Sequence, residues 1–177
     1  MINVLKPLEK SLEKLFVDDA PALPSNAKKF IVDILPWVNL VLGIVTLFGI
    51  YTLWHWAHIA NSLINYSNAI SAAYGGPTVA NRLDFTIWLS MAVLLVEALL
   101  YIAAFPGTKD RKKSGWNFLF YAAVVNVIYG VVVVFTNYGG VGNLIGSLIG
   151  SAIGLYFLFQ IRESYVKQPA STKENKA

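Results

Sequence analysis

The chain contains no cysteine. Disulfides, thiolate metal sites and thiol catalysis are therefore excluded, while the compartment stays open, because any redox environment tolerates zero cysteines. Charge is scarce: 14% of the 177 residues are Asp, Glu, Lys or Arg, against about 25% in a typical soluble domain. There are only 2 histidines. No HExxH, no GxSxG and no paired-carboxylate arrangement occurs, so zinc, serine and twin-carboxylate hydrolysis have no motif to rest on. "GTKDRKKSG" (107–115) lacks the spacing of a phosphate loop and follows no predicted strand. The basic segments are too small, and too poor in interleaved aromatics, for a nucleic-acid surface. No catalytic residue, metal or cofactor is expected.

What the chain has instead is apolar length. Hydrophobic residues make up 56% of it and the mean hydropathy is +0.55. A hydrocarbon core of about 30 Å needs roughly 20 apolar helical residues. Four stretches qualify, at about 36–57, 84–105, 116–136 and 143–161. The third is rich in β-branched residues, but in lipid the backbone must satisfy itself, which favours a helix. The expectation is an all-α integral membrane protein: a four-helix transmembrane bundle (36–162), preceded by an amphipathic cytoplasmic arm (1–35) and followed by a disordered cytoplasmic tail (163–177).

The basic residues orient the spans. Lys6, Lys10, Lys14, Lys28 and Lys29 precede the first span. Lys109, Arg111, Lys112 and Lys113 separate the second from the third, and Arg162, Lys167, Lys173 and Lys176 follow the fourth. Arg82 alone lies on the other side. The positive-inside rule then places both termini in the cytoplasm. Trp37, Trp116, Tyr121 and Tyr156 mark one predicted membrane edge, and Trp54, Trp56, Trp88 and Tyr138 the other.

In the arm, Leu5, Leu8, Leu12 and Leu15 recur at helical period between lysines and glutamates. The helix should begin near residue 6, because Pro7 suits a first turn. Ser25 or Asn26 can cap the next helix, with a kink expected at Pro36. The arm is read as lying on the inner membrane surface, its lysines meeting anionic lipid headgroups, or as docking on a partner protein or a second copy. In the outer loop, Ile59, Leu63, Tyr66 and Ile70 form one helical stripe that "GGP" (75–77) ends, and Asn65 sits in a short sequon.

"GNLIGSLIGSAIG" places Gly142, Gly146, Gly150 and Gly154 at every fourth position of the last span. Each interior glycine costs a helix about 0.5–1 kcal/mol relative to alanine in water. In lipid, small residues on one face let another helix approach closely. This glycine zipper is read as a packing groove, filled by the third or first span of the same subunit or forming a subunit interface with another copy or a different membrane protein. The short loop before it predicts a tight antiparallel hairpin with the third span.

Glu97 is the ionisable residue deepest in a span, about 12 Å from the inner edge at 1.5 Å per residue. Asn126, Thr46 and Ser151 fall at a similar depth on the other spans, roughly 15 Å in. A carboxylate at the bilayer centre costs about 2.5–3.5 kcal/mol on insertion scales, so Glu97 should face other helices. Two readings follow: a Glu97–Asn126 hydrogen bond that ties helices together, or a protonatable or cation site in a small oligomeric channel or transporter. His55 and His58 share one helix face, but the only further ligand at that edge is Asp84, and the set is incomplete for a metal.

The amphipathic arm, "KKFIVDILPWVNLVLGIV", the glycine-lined last span and the "GLYFLFQIRESY" ending together resemble small four-helix integral membrane proteins of bacteria. That resemblance implies a bacterial cytoplasmic membrane and carries no activity. The function expected from the residues is non-enzymatic, a membrane scaffold or accessory subunit acting through helix association.

Overall fold

The structure, a computed structural model, describes residues 5–79, 85–136 and 140–166. Every regular element among them is a helix. Asp84, Arg82, Tyr138 and the tail from 167 onward lie outside the described residues.

Helix α1 (Lys6–Glu13) begins with Pro7 in its first turn and runs into a π-helical turn, Lys14–Asp18. Helix α2 (Ser25–Ala73) is a single helix of 49 residues. Three expected elements therefore merge: the second half of the arm, the first span and the outer-loop stripe. Pro36 lies inside α2 without ending it, although it cannot donate to the Val32 carbonyl one turn back. Neither Ser25 nor Asn26 caps this helix. Its N-cap is Pro24, in extended backbone (φ −56°, ψ 146°), with no side-chain cap bond. At the far end Gly75 turns the chain at φ +70°, and the Asn68 side chain pairs with both backbone groups of Val79 at 2.8 and 2.7 Å.

Helices α3 (Phe85–Lys109), α4 (Lys113–Val134) and α5 (Val141–Gln160) follow. A short helix α6, Glu163–Val166, lies within the segment read as tail and buries Tyr165 to 1% exposure. Helices α2, α3 and α4 are long and apolar enough to cross a membrane; within α5 the apolar stretch Leu144–Gln160 is shorter.

The long helices pack in chain order, α2 on α3, α3 on α4 and α4 on α5. Edge-on contacts of Trp37 with Phe105 (5.6 Å) and Trp54 with Trp88 (5.6 Å) fix α2 and α3 as antiparallel. Their crossing needs Gly43, where a Cβ would stand 2.7 Å from Ile102 Cγ1. Gly130 on α4 meets Ser147 on α5 in the same way, and Gly107 meets Gly115 at the α3–α4 turn.

The core sits at one end. Trp116 and Phe120 stack at 5.4 Å, Phe159 packs edge-on to both, and Leu158, Ile161, Val32 and Tyr165 surround them. Trp116, read from the sequence as marking a membrane edge, is fully buried and its Nε1 donates to the Leu158 carbonyl at 2.8 Å, as a buried Trp N–H usually does. Away from this end the polarity is inverted. Only 22% of the most apolar window of α2 is buried, and Phe48 and Tyr51 are 67% and 61% exposed.

Burial pushes the Tyr165 hydroxyl up to about 12, and it has no hydrogen-bond partner among the described residues. A buried unpaired hydroxyl costs about 1–3 kcal/mol. Tyr165→Phe is therefore expected to leave the fold intact and raise its thermal midpoint by about 2–4 °C per kcal/mol recovered. The wild type should lose stability as pH climbs from 10 towards 12, because tyrosine in the unfolded chain ionises there while buried Tyr165 stays neutral. A lowered midpoint in Tyr165→Phe at neutral pH would mean that the hydroxyl has a partner after all.

Candidate functional site

Three of the four polar residues predicted at one depth come together. Asn126 Nδ2 on α4 donates to Glu97 Oε1 on α3 at 3.1 Å. Ser151 Oγ on α5 donates to Asn126 Oδ1 at 3.1 Å. Each helix contributes one residue to an unbroken polar chain, with Glu97 buried at 7% exposure. Thr46 does not join it. Its hydroxyl donates to the Leu42 carbonyl on its own helix at 2.8 Å, which satisfies the group locally. A second polar contact, Ser90 Oγ to Tyr129 Oη at 2.6 Å, ties α3 to α4.

The glycine line is not where the helices of this chain meet. Among the described residues, a Cβ on Gly142, Gly146, Gly150 or Gly154 would touch nothing within 4 Å. No described residue therefore packs closely against the groove at these four positions. The close approaches fall on Gly43, Gly107, Gly115 and Gly130 instead. Successive glycines four apart also turn by about 40° around a helix of 3.6 residues per turn, so the line winds through about 120° from first to last. Gly150 and Gly154 face a cavity, whereas Gly142 and Gly146 do not line it.

That cavity, about 490 Å³, is a slot between α2 and α5, floored by α3 and α4. Ile34 and Val38 form its α2 wall, and Gly154 and Phe157 its α5 wall. Asn126 and Ser151, the slot-facing members of the polar chain, lie at its deep end. Asn39 and Tyr101 also line it. Sequence reasoning missed Asn39, which is 2% exposed and reaches Thr108 Oγ1 only at 3.5 Å. An asparagine on an apolar span was the available signal.

The arm does not stand apart from the bundle. Arg162 donates from Nη2 to Glu9 Oε1 at 2.6 Å and from Nη1 to Glu13 Oε1 at 2.7 Å. Its guanidinium lies 5.4 Å above the Trp116 ring. Gln160 Nε2 donates to the Phe16 carbonyl at 2.7 Å, and Gln160 Oε1 accepts from the Leu23 N–H at 3.1 Å. Tyr156 Oη donates to the Pro21 carbonyl at 2.7 Å. The predicted leucine stripe therefore splits. Leu5 and Leu12, with Phe16, pack on the core, while Leu8 and Leu15 stay 41% and 53% exposed.

At the basic turn, a hydrogen bond from Lys112 Nζ at 2.7 Å, aided by the Lys112 charge, holds the exposed Asp110 carboxyl below its usual range. Arg111 pairs with Asp33 at 2.7 Å, tying the turn to α2. His55 stacks on Tyr51 at 6.0 Å and His58 Nδ1 lies 3.1 Å from the Trp54 carbonyl. Among the described residues no three His, Asp or Glu side chains gather as metal ligands.

Fold and site define a class: an all-helical protein with three helices long and apolar enough to cross a membrane, and a polar chain linking α3, α4 and α5. No protein-family model, curated protein or solved structure matches the chain.

Proposed function

We propose that this is an integral protein of a bacterial cytoplasmic membrane, with both termini cytoplasmic, and that it serves as a scaffold or accessory subunit by receiving a transmembrane helix of another protein on α5. Its large exposed apolar surface supports the membrane reading, since monomeric soluble proteins rarely expose contiguous patches above a few hundred Å². The basic residues around the arm, the α3–α4 turn and Arg162 support the orientation. In this setting α5, with its shorter apolar stretch, is the fourth span. The observation that carries the association is the open space at Gly142 and Gly146, flanked by Ile145 and Ile149 at 52% and 56% exposure. Small residues between apolar ridges form the surface against which helices pack in lipid.

Native mass spectrometry after gentle extraction tests this, with the wild type beside a Gly142→Leu, Gly146→Leu double variant. The expected result is a wild-type complex containing a second protein, reduced to the free chain in the variant. A free chain in both would overturn the association. A multiple of the chain's own mass would favour a second reading, a small oligomeric channel or transporter. The Glu97–Asn126–Ser151 chain supports that reading, and an ion flux in liposomes that Glu97→Gln abolishes would establish it.

A further inference from the structure

The slot between α2 and α5 is a narrow apolar groove. It runs from Ile161 to Gly150 along α5, roughly 16 Å at 1.5 Å per residue. The slot offers about 490 Å³, inside the range of small-ligand pockets. Its walls are apolar, and its rim is formed by Ile34, Val38 and Phe157, all about 40% exposed. In the membrane reading that rim opens sideways into lipid.

Two uncharged polar side chains that line the slot, Asn39 and Tyr101, keep unused hydrogen-bonding capacity among the described residues. Asn39 is 2% exposed, its amide makes one long bond to Thr108, and its carbonyl oxygen accepts nothing among the described residues. The Tyr101 side chain makes no hydrogen bond there either. For Asn39, which is buried, unused capacity is costly. Asn39 offers an acceptor and Tyr101 a donor, and neither is charged. A ligand hydroxyl complements both, since it donates and accepts. A carboxylate would offer Asn39 Oδ1 no proton.

We propose that the slot binds one hydrocarbon chain of an uncharged, hydroxyl-bearing amphiphile, with the hydroxyl at Asn39 and Tyr101. The glycines of α5 then divide their work. Gly150 and Gly154 leave room for the chain, while Gly142 and Gly146 belong to the helix-association face. The site rests on the membrane reading above but not on the helix partner.

The test is photolabelling of the full-length protein in lipid nanodiscs with a diazirine-bearing hexadecanol, the adducts being located by mass spectrometry. Labelling of the slot walls near Val38 and Gly154 is expected to saturate and to be displaced by unlabelled hexadecanol better than by palmitate. Gly154→Leu, whose Cβ enters open space and whose side chain would occupy the slot, should cut slot labelling roughly tenfold, about 1.4 kcal/mol. Gly146→Leu should leave it unchanged. Asn39→Leu should remove the preference for the alcohol over palmitate. Labelling at Phe48 and Tyr51, on the outer face of α2, is expected not to saturate and reports the bilayer itself. Outer-face labelling with an unlabelled or unsaturable slot overturns the site alone. Absence of both overturns the membrane reading and the site together. Slot labelling that survives Gly154→Leu also overturns the site.

Discussion

Gly115→Ala is expected to destabilise the fold strongly, while Gly154→Ala is expected to be neutral or stabilising. Both glycines are helical, and in both positions alanine gains about 0.5–1 kcal/mol of helix propensity. The difference is what the new methyl meets. At Gly115 a Cβ falls on the backbone of Gly107 and Thr108, and at Gly107 it falls on the backbone of Gly115. Neither backbone can step aside. The α3–α4 turn is closed by Lys112 N–H donating to the Gly107 carbonyl at 2.7 Å and Gly115 N–H donating to the Lys112 carbonyl at 3.1 Å. Thr108 is also tied back to the Ala104 carbonyl at 2.9 Å. Overpacking a tight site costs typically about 1–3 kcal/mol and sometimes more, and here the yielding part would be a whole helix. At Gly154 the methyl enters open space. Thermal unfolding in detergent, followed by circular dichroism, checks the pair. A Gly115→Ala protein as stable as the wild type would mean that the two helices do not touch at this turn.

The sequence was legible where the signal was local. Apolar length located α3, α4 and α5 to within a few residues, and Pro7 marked the start of α1. The depth of Glu97 and Asn126 on neighbouring spans foreshadowed their hydrogen bond. The glycine reading failed at the pairing step. A regular spacing displays a smooth face but not its partner, and the glycines in contact (Gly43, Gly107, Gly115 and Gly130) are isolated ones with no period to expose them. Thr46 shared the right depth, but a threonine in a helix can satisfy itself on the preceding turn. Trp116 shows the same limit, since hydropathy near a membrane edge cannot say whether a tryptophan faces lipid or core. The arm was legible as amphipathic. That Glu9 would be buried was not, because its partner Arg162 lies at the opposite end of the chain.

Arg162→Gln is expected to release the arm while leaving α3 and α4 packed. The ion pairs it makes are not ordinary surface pairs, which are worth about 0–1 kcal/mol. The Arg162 side chain is 19% exposed and that of Glu9 only 8%. Removing one partner of a buried pair leaves a stranded charge and costs about 3–5 kcal/mol. Glutamine cannot reproduce the fork that spans Glu9 and Glu13, and lysine lacks its geometry too. The remaining ties are the two hydrogen bonds of Gln160, the Tyr156 bond to Pro21, and the burial of Leu5, Leu12 and Phe16. They must hold a short helix that is marginal alone. Hydrogen exchange over residues 6–18 should therefore accelerate strongly in Arg162→Gln. Glu13→Gln should change little, because that carboxylate is 38% exposed. The decisive variant is Arg162→Gln with Glu9→Gln. It removes the stranded charge as well as its partner, so protection should partly return, a coupling that only a buried pair produces. If the double variant exchanges as fast as the single one, the guanidinium holds the arm by its packing on Trp116 rather than by neutralising Glu9. If Arg162→Gln exchanges like the wild type, the arm is held by its apolar face alone.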